Sequence, residues 1–337
     1  MASSIIDPGL RFAANQMLTL LRKDICKVSQ FTTNFTADAV TKGTAMLIPI
    51  AVDEAAGEFD RESNNFGDID GSFLFTPMEF NSHPKHSFGF TPTDQTNIGL
   101  ETVNAMQKAG ELSARAIGRK IAETVCGLIN ATNIPTSGKD PTEWYDSDGN
   151  KLKNGKDIPA GLKFSAANEY VIKKADLTKM TVAKFRAAAN AADISVSSSI
   201  LALCPGKYAE LLSLLTAEMY GGTEAIRSGF IPGLYGWKGV MEMNELPDDN
   251  GQIGAIIPET SIAIASRLPG VLNPHLYQNL GTATDDASGM VFQFRQGGDW
   301  KTDNTVASVD CIFGAKLVQP TKIVRIVESD SVPESQG

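Results

Sequence analysis

Chemistry-bearing residues are scarce in this chain. Its 337 residues include three histidines, His83, His86 and His275, and four cysteines, Cys26, Cys126, Cys204 and Cys311. The cysteines stand apart, with no C-x-x-C pair and no Cys/His cluster. They read as reduced, small apolar residues and exclude a disulfide frame or a zinc knuckle. His83-Pro84-Lys85-His86 has metal-ligand spacing but no further Cys or His nearby, and Pro84 suits a strand edge or turn. H-E-x-x-H, G-x-S-x-G, G-x-x-x-x-G-K-S/T and a G-x-G-x-x-G after a strand are all missing. Hydrolytic, nucleotide and dinucleotide chemistry lose their usual signposts, and no cofactor or metal is implied.

Cationic charge is also in short supply. Thirty Lys+Arg face 39 Asp+Glu for a net charge of −9, and charged residues are only 20% of the chain. A general nucleic-acid-binding surface needs clustered cations and is disfavoured. A charge-poor exterior suits a chain that covers much of its surface with other subunits. No run of about 18 apolar residues marks a membrane span, and Met1 to Phe12 lacks the layout of a signal peptide. The expectation is a soluble protein made in the cytoplasm, with 42% hydrophobic residues sufficient for a sizeable core in one large domain or two small ones.

Asp7-Pro8-Gly9 opens an amphipathic helix, with Leu10, Ala14, Met17, Leu21, Ile25 and Val28 at steps of three or four. Arg11, Arg22, Lys23 and Lys27 line its polar side; a packed helix explains them, and a membrane-surface helix is the alternative. From Ala45 the period changes. Met46 to Val52 and Phe73 to Phe80 read as two strands joined by a long excursion. That excursion holds seven acids, Asp53, Glu54, Glu58, Asp60, Glu62, Asp68 and Asp70, against Arg61 alone, and no lysine. It is either a solvated loop or a charged arm that docks on a basic neighbour.

A proline-free helix is predicted from about Asp94 to Ala131, its stripe formed by Val103, Met106, Gly110, Ala114, Ile117, Ile121, Val125 and Leu128. At 1.5 Å per residue it spans roughly 55 Å, and its small residues without a strict heptad argue for a helix lying along a sheet. Thr132 to Asp176, dense in Gly, Pro, Asp and Lys, reads as a surface insertion with a hairpin at Trp144 to Asn150. Asp146-Ser147-Asp148-Gly149-Asn150 starts like a calcium loop, but Lys151 stands where the turn needs Gly and the closing Glu is missing. Asp248 and Asp249 sit in a turn, where acids are ordinary. Helical periodicity returns at Val182 to Ala192, and a buried strand at Ile200 to Cys204 runs into a helix begun by Pro205. Strands follow at Val240 to Met243, Ile253 to Ile257, Ser261 to Ser266, Met290 to Arg295, Val306 to Phe313 and Ile323 to Val327.

The order of these parts resembles the major capsid proteins of tailed double-stranded DNA phages, the Hong Kong 97-type coat fold of class α+β. Val40-Thr41-Lys42-Gly43-Thr44 looks like the lead-in to that family's extended loop. Phe88-Gly89-Phe90-Thr91 before Asp94 looks like the strand feeding its spine helix. Ile226 to Trp237, running on to Asn244-Glu245-Leu246-Pro247, resembles the Gly-rich loop entering the axial domain, with Gly229, Gly233 and Gly236. Phe313-Gly314-Ala315-Lys316-Leu317-Val318 with Pro320 resembles the closing peripheral strand.

The resemblance implies an N-terminal arm at 1–43, extended loop and peripheral strands at 44–93, spine helix at 94–131, insertion at 132–176, a mainly axial domain at 177–285, return strands at 286–327 and a flexible tail at 328–337. It implies no enzyme but a virion shell protein, made and assembled in the host cytoplasm. Copies form hexamers and pentamers around DNA held without sequence-specific binding, with no membrane. A portal and a separate scaffolding protein are implied partners, and a decoration protein an optional one. The acidic excursion is expected to lie over a neighbouring copy and meet Arg115, Arg119 and Lys120 of its spine helix. Competing readings are an encapsulin-like compartment and an α/β enzyme built from unremarkable residues. Because the arm and loop already use the stretch before the spine helix, little or no processing is expected.

Overall fold

The computed structural model describes residues 27–36, 44–51, 73–90, 102–137, 143–146, 148–152, 162–174, 177–214, 230–271, 277, 279–285, 288–299 and 304–330. The chain divides into two compact units.

The first unit comprises Met1–Thr44, Glu79–Gly127 and Ala263–Lys316. Its long helix, α1 (Thr102–Cys126), buries Ile117, Ile121 and Val125, three members of the stripe anticipated from the sequence. The helix ends at Cys126, five residues before the Ala131 expected from periodicity. Past it, Gly127 N–H bonds to Glu123 O at 2.8 Å, and turns replace the spiral through Ala131. Its 25 described residues extend about 37 Å.

Four strands, β4 (Lys85–Phe90), β11 (Asn279–Thr284), β12 (Val291–Asp299) and β13 (Asn304–Asp310), form an antiparallel sheet in the order β11-β12-β13-β4. A second sheet has the order β1-β10-β14, from β1 (Thr32–Asn34), β10 (Ile262–Arg267) and β14 (Ile312–Leu317). The segment Val306 to Phe313, read from its alternation as one strand, is therefore two. At Cys311 the chain leaves one sheet for the other, and the Cys311 N–H bonds to Pro84 O at 3.3 Å. β11, with the sequence NLGTAT, had no strand signal; it forms because β12 offers it a six-residue antiparallel register.

The second unit comprises Ala45–Met78, Leu128–Ile262 and Leu317–Gly337. Its six-stranded sheet runs β5-β15-β9-β6-β8-β7, from β5 (Glu169–Lys173), β6 (Ser199–Leu203), β7 (Phe230–Pro232), β8 (Gly239–Glu242), β9 (Gln252–Pro258) and β15 (Val324–Ser329). β6 and β9 are buried along their whole length, which is why they read as unbroken apolar runs. Helix α2 (Lys179–Ala191) is capped by Thr178, whose hydroxyl accepts from Thr181 N–H at 3.1 Å; α3 (Pro205–Leu214) begins on its proline. Phe185 of α2, Tyr208 and Leu211 of α3, and Leu201, Val240 and Ile256 of the sheet share one apolar core.

The reading of 132–176 as a surface insertion needs correction. Glu169–Lys173 is a parallel partner of β15, and Ile134, Trp144 and Leu162 are buried. Sequence alone hid β5 because its five residues stand in a Gly-, Pro- and Lys-rich stretch. The Trp144 to Asn150 hairpin does form: Leu152 N–H bonds to Trp144 O at 2.9 Å, and Gly149 takes φ +78°. Asp146, instead of starting a calcium loop, accepts from the Asn150 and Asp148 amides, and the Asn150 amide holds its carboxyl below the usual range. No helix among the described residues is long and apolar enough to cross a membrane.

Candidate inter-subunit surfaces

The four-stranded sheet has two unlike faces, set by its register. His86, Val309, Phe294 and Gly281 share a cross-strand row, and His86 Nδ1 lies 2.7 Å from Ser113 Oγ on α1. This is the covered face. The opposite face carries the row Ser87, Ser308, Arg295 and Leu280, beside Lys85 and Val306. A concavity of about 330 Å³ opens there, lined by Lys85, Tyr277, Arg295, Val306 and the two serines, with Gly297 and Gly298.

Arg295 is only partly available within it. Its Nη2 lies 3.2 Å from Asp310 Oδ2, its Nε donates to Gln293 Oε1 at 3.0 Å, and its guanidinium carbon sits 5.7 Å from the Tyr277 ring centre. His83 Nε2 approaches the same Asp310 oxygen at 3.1 Å, so one buried carboxylate oxygen lies between the Arg295 guanidinium and the His83 ring. Burial, with the Asp310 charge next door, pushes the Cys311 thiol up to about 12. His83 and His86 thus have separate partners, and among the described residues no three metal-ligating side chains converge.

Helix α1 presents its own outward row. Leu112, Arg115, Ala116, Arg119 and Lys120 are exposed opposite the buried Ile117 stripe. Lys120 Nζ pairs with Glu123 at 3.7 Å, one turn on. Arg115 and Arg119, four residues apart, have no carboxylate partner among the described residues.

In the second unit, β2 (Ala45–Ala51) and β3 (Phe73–Glu79) pair as a two-stranded ribbon, the pair of strands anticipated on either side of the excursion. Met46, Ile48, Ile50, Leu74 and Met78 are buried, while Leu47 and Phe73 are exposed on the alternate positions. The Trp144 hairpin extends this ribbon through a Phe75–Tyr145 bridge, with both backbone bonds at 2.8 Å. The seven acids Asp53, Glu54, Glu58, Asp60, Glu62, Asp68 and Asp70 lie outside the described residues, as do Gly229 and the helix expected from Asp7 as far as Cys26.

The Gly-rich segment expected to enter an axial domain is partly described. Gly233 (φ +71°), Tyr235 (φ +52°) and Gly236 (φ +82°) place three left-handed residues within four positions, ending on the buried Trp237. A side chain at either glycine would be strained, which explains their presence. Sequence reasoning found these glycines and the cationic helix row but not the Lys85–Arg295 concavity, whose residues are far apart in sequence. It also passed over Leu112, although that leucine falls off the apolar stripe.

A family model for phage capsid proteins matches residues 79–326, most of the chain. No curated protein matches it. Among solved structures, the capsid of the cyanophage P-SCSP1u is 13% identical, with 89% of this chain and 87% of that one covered at a TM-score of 0.55. The virus-like particle from Pyrococcus furiosus is 13% identical, with coverage of 93% and 97% and a TM-score of 0.50. The capsid of Ralstonia phage GP4 is 12% identical, with coverage of 90% and 89% and a TM-score of 0.50. At such identities the likeness is one of fold, and it spans both units. With its spine helix on a four-stranded sheet and its separate mixed six-stranded sheet, the chain has the Hong Kong 97-type α+β fold and belongs to the phage capsid protein family.

Proposed function

We propose that this capsid protein is the major shell subunit of a tailed phage: copies gather as hexamers and pentamers and close into an icosahedral shell around double-stranded DNA. The observation that carries the reading is the capsid-family match across 79–326. The role is structural, and the virion capsid is its location. A net charge of −9 suits a container whose surface does not pin the packaged polyanion. A portal and a separate scaffolding protein complete the proposed assembly, with a decoration protein as an optional outer partner.

Contacts between copies are assigned to the sites the sequence singled out. The acidic excursion from Asp53 to Asp70 of one copy meets Arg115, Arg119 and Lys120 of another. Two of those cations, Arg115 and Arg119, have no carboxylate partner among the described residues, which supports this pairing. Each exposed pair contributes only about 0–1 kcal/mol, so many act together and salt weakens them. The axial segment with Gly229, Gly233 and Gly236 lets backbones approach closely where subunits converge on a capsomer axis.

Expression of the full chain, alone and with the neighbouring gene products, followed by negative-stain microscopy, tests the proposal. Closed, DNA-competent shells are the expected result. Discrete small oligomers under every condition, or shells filled only with a protein cargo, would overturn it. The variant E58K/D60K/E62K should stay folded yet assemble poorly; normal shells from it would remove the acidic contact.

A further inference from the structure

The hollow on the outward face of the four-stranded sheet is furnished with groups that can donate hydrogen bonds. Lys85, Arg295, Ser87, Ser308 and Tyr277 supply its polar side chains, and no acid is found among the described residues that line it. Register places three of these side by side: Ser87 lies opposite Ser308, and Ser308 opposite Arg295. Neighbouring strands stand about 4.8 Å apart, so this row falls within roughly 10 Å. Lys85, two residues along β4 from Ser87, shares its face.

These groups are not spent inside the subunit. Among the described residues Lys85 has no ion pair, and neither serine hydroxyl has a hydrogen-bond partner. Arg295 donates from Nε and Nη2 to Gln293 Oε1 at 3.0 and 2.6 Å, and its Nη2 lies 3.2 Å from Asp310 Oδ2. That leaves Nη1 without a partner among the described residues. Asp310, 1% exposed, is taken up by Arg295 and His83 and forms no ion pair with Lys85, its cross-strand neighbour. The remaining wall, where Val306 lies opposite Gly297, is non-ionic.

Whatever fills the hollow must carry negative charge and accept hydrogen bonds from several directions. A carboxylate is planar and is best met by two nitrogens of one guanidinium edge. Arg295 has a single nitrogen free, and the other donors come from two further strands, which suits a tetrahedral group with oxygens on every side. We propose that this hollow binds a phosphate group, with Lys85 and Arg295 Nη1 supplying the charge and the Ser87 and Ser308 hydroxyls fixing its oxygens. At about 330 Å³ it is at the small end of ligand pockets, with room for the phosphate and for part of what carries it beside Val306 and Gly297. The phosphate is either a free anion or a unit of a nucleic-acid backbone, whose contacts hold a strand without reading its sequence. The site goes beyond the shell-subunit reading and does not depend on it.

Titration calorimetry on the full chain, with inorganic phosphate in one arm and a short DNA duplex in the other, tests the site. Wild type should bind saturably. Lys85→Ala and the double variant S87A/S308A should each weaken binding about tenfold or more, and Lys85→Arg should retain most of it. Lys184→Ala, which removes an exposed cation from α2 in the other unit, should change nothing. All substituted positions are at least partly exposed, so circular dichroism should match wild type throughout. Duplex binding that is lost in the same variants assigns the phosphate to a nucleic-acid backbone; phosphate binding without duplex binding assigns a free anion. If wild type takes up neither ligand, or if either K85A or S87A/S308A binds as well as wild type, the inference falls, whether or not the chain forms shells.

Discussion

Arg325, 1% exposed, holds the carboxylate of Glu169 at 3.1 Å and the amide oxygen of Gln252 at 3.0 Å, joining β15 to β5 and β9 through one side chain. Gln252 passes the connection on by donating to Ile129 O at 3.2 Å, and Asp249 accepts from the Ala131 amide at 2.7 Å. A buried cation needs partners for its donors, and each nitrogen of Arg325 has one: Nε on Gln252, Nη1 on Glu169 and Nη2, at 3.5 Å, on the Asp249 carbonyl. Arg325→Met should cost about 2–4 kcal/mol, because Glu169 and Gln252 lose their donor; Glu169 is 27% exposed, which keeps the loss below that of a fully buried pair. Urea unfolding of the unassembled subunit gives the number, and a change under 1 kcal/mol would show the network to be dispensable.

Alkaline conditions should find a second weak point at Tyr208. Burial, assisted by the Glu242 charge, pushes its phenol up to about 12, and its buried hydroxyl has no hydrogen-bond partner among the described residues. The unfolded phenol ionises near 10, so the folded chain keeps its proton longer. This contribution to stability is whole below pH 10 and is lost as pH rises from there through about 12, to a total of roughly 2–3 kcal/mol. Tyr208→Phe should be neutral to slightly stabilising at pH 8 and should flatten that alkaline loss. Equal pH slopes for the two proteins would refute the assignment.

Cys311 should behave as an inert thiol. With its pKa raised to about 12 and its side chain buried, almost no thiolate exists at pH 8. Ellman's reagent should leave it unmodified in the native subunit and label it only after unfolding, while the partly exposed Cys204 reacts earlier. Peptide mapping of the labelled protein separates the two.

Two glycines should respond in opposite directions to alanine. A Cβ on Gly254, in the central strand β9, would sit 2.6 Å from Ala202 O and 2.9 Å from a Leu203 methyl, so Gly254→Ala should cost about 1–3 kcal/mol. Gly206, in the first turn of α3, faces open space, and Gly206→Ala should stabilise by about 0.5–1 kcal/mol. Thermal midpoints moving the same way for both would contradict the packing described.

Strands that are buried on both faces were legible as apolar runs, and β6 and β9 stand where Ile200 and Ile253 announced them. Helix α2 was legible from the spacing of Val182, Phe185 and Ala189. What the sequence concealed depended on partners distant in the chain. Glu169–Lys173 becomes a strand because β15 lies beside it, and Asp249, an ordinary turn acid by composition, is taken up by an amide 118 residues away. The division of Val306 to Phe313 was invisible because alternation continues across Cys311 while the sheet changes. Of the proposed contact residues, Arg115 and Arg119 could be picked out by charge. The outward faces of Leu47 and Phe73 required knowing which side of the ribbon was buried.

That division at Cys311 has a mechanical meaning. A single residue separates β13 from β14, giving a reach of about 3.4 Å and little room for the two strands to move apart. The two sheets of this unit are in effect welded end to end. The outer strand β11 is thus joined through the β12 and β13 ladders and one covalent step at Cys311 to β14 and its sheet, with no loop between the two sheets along that route.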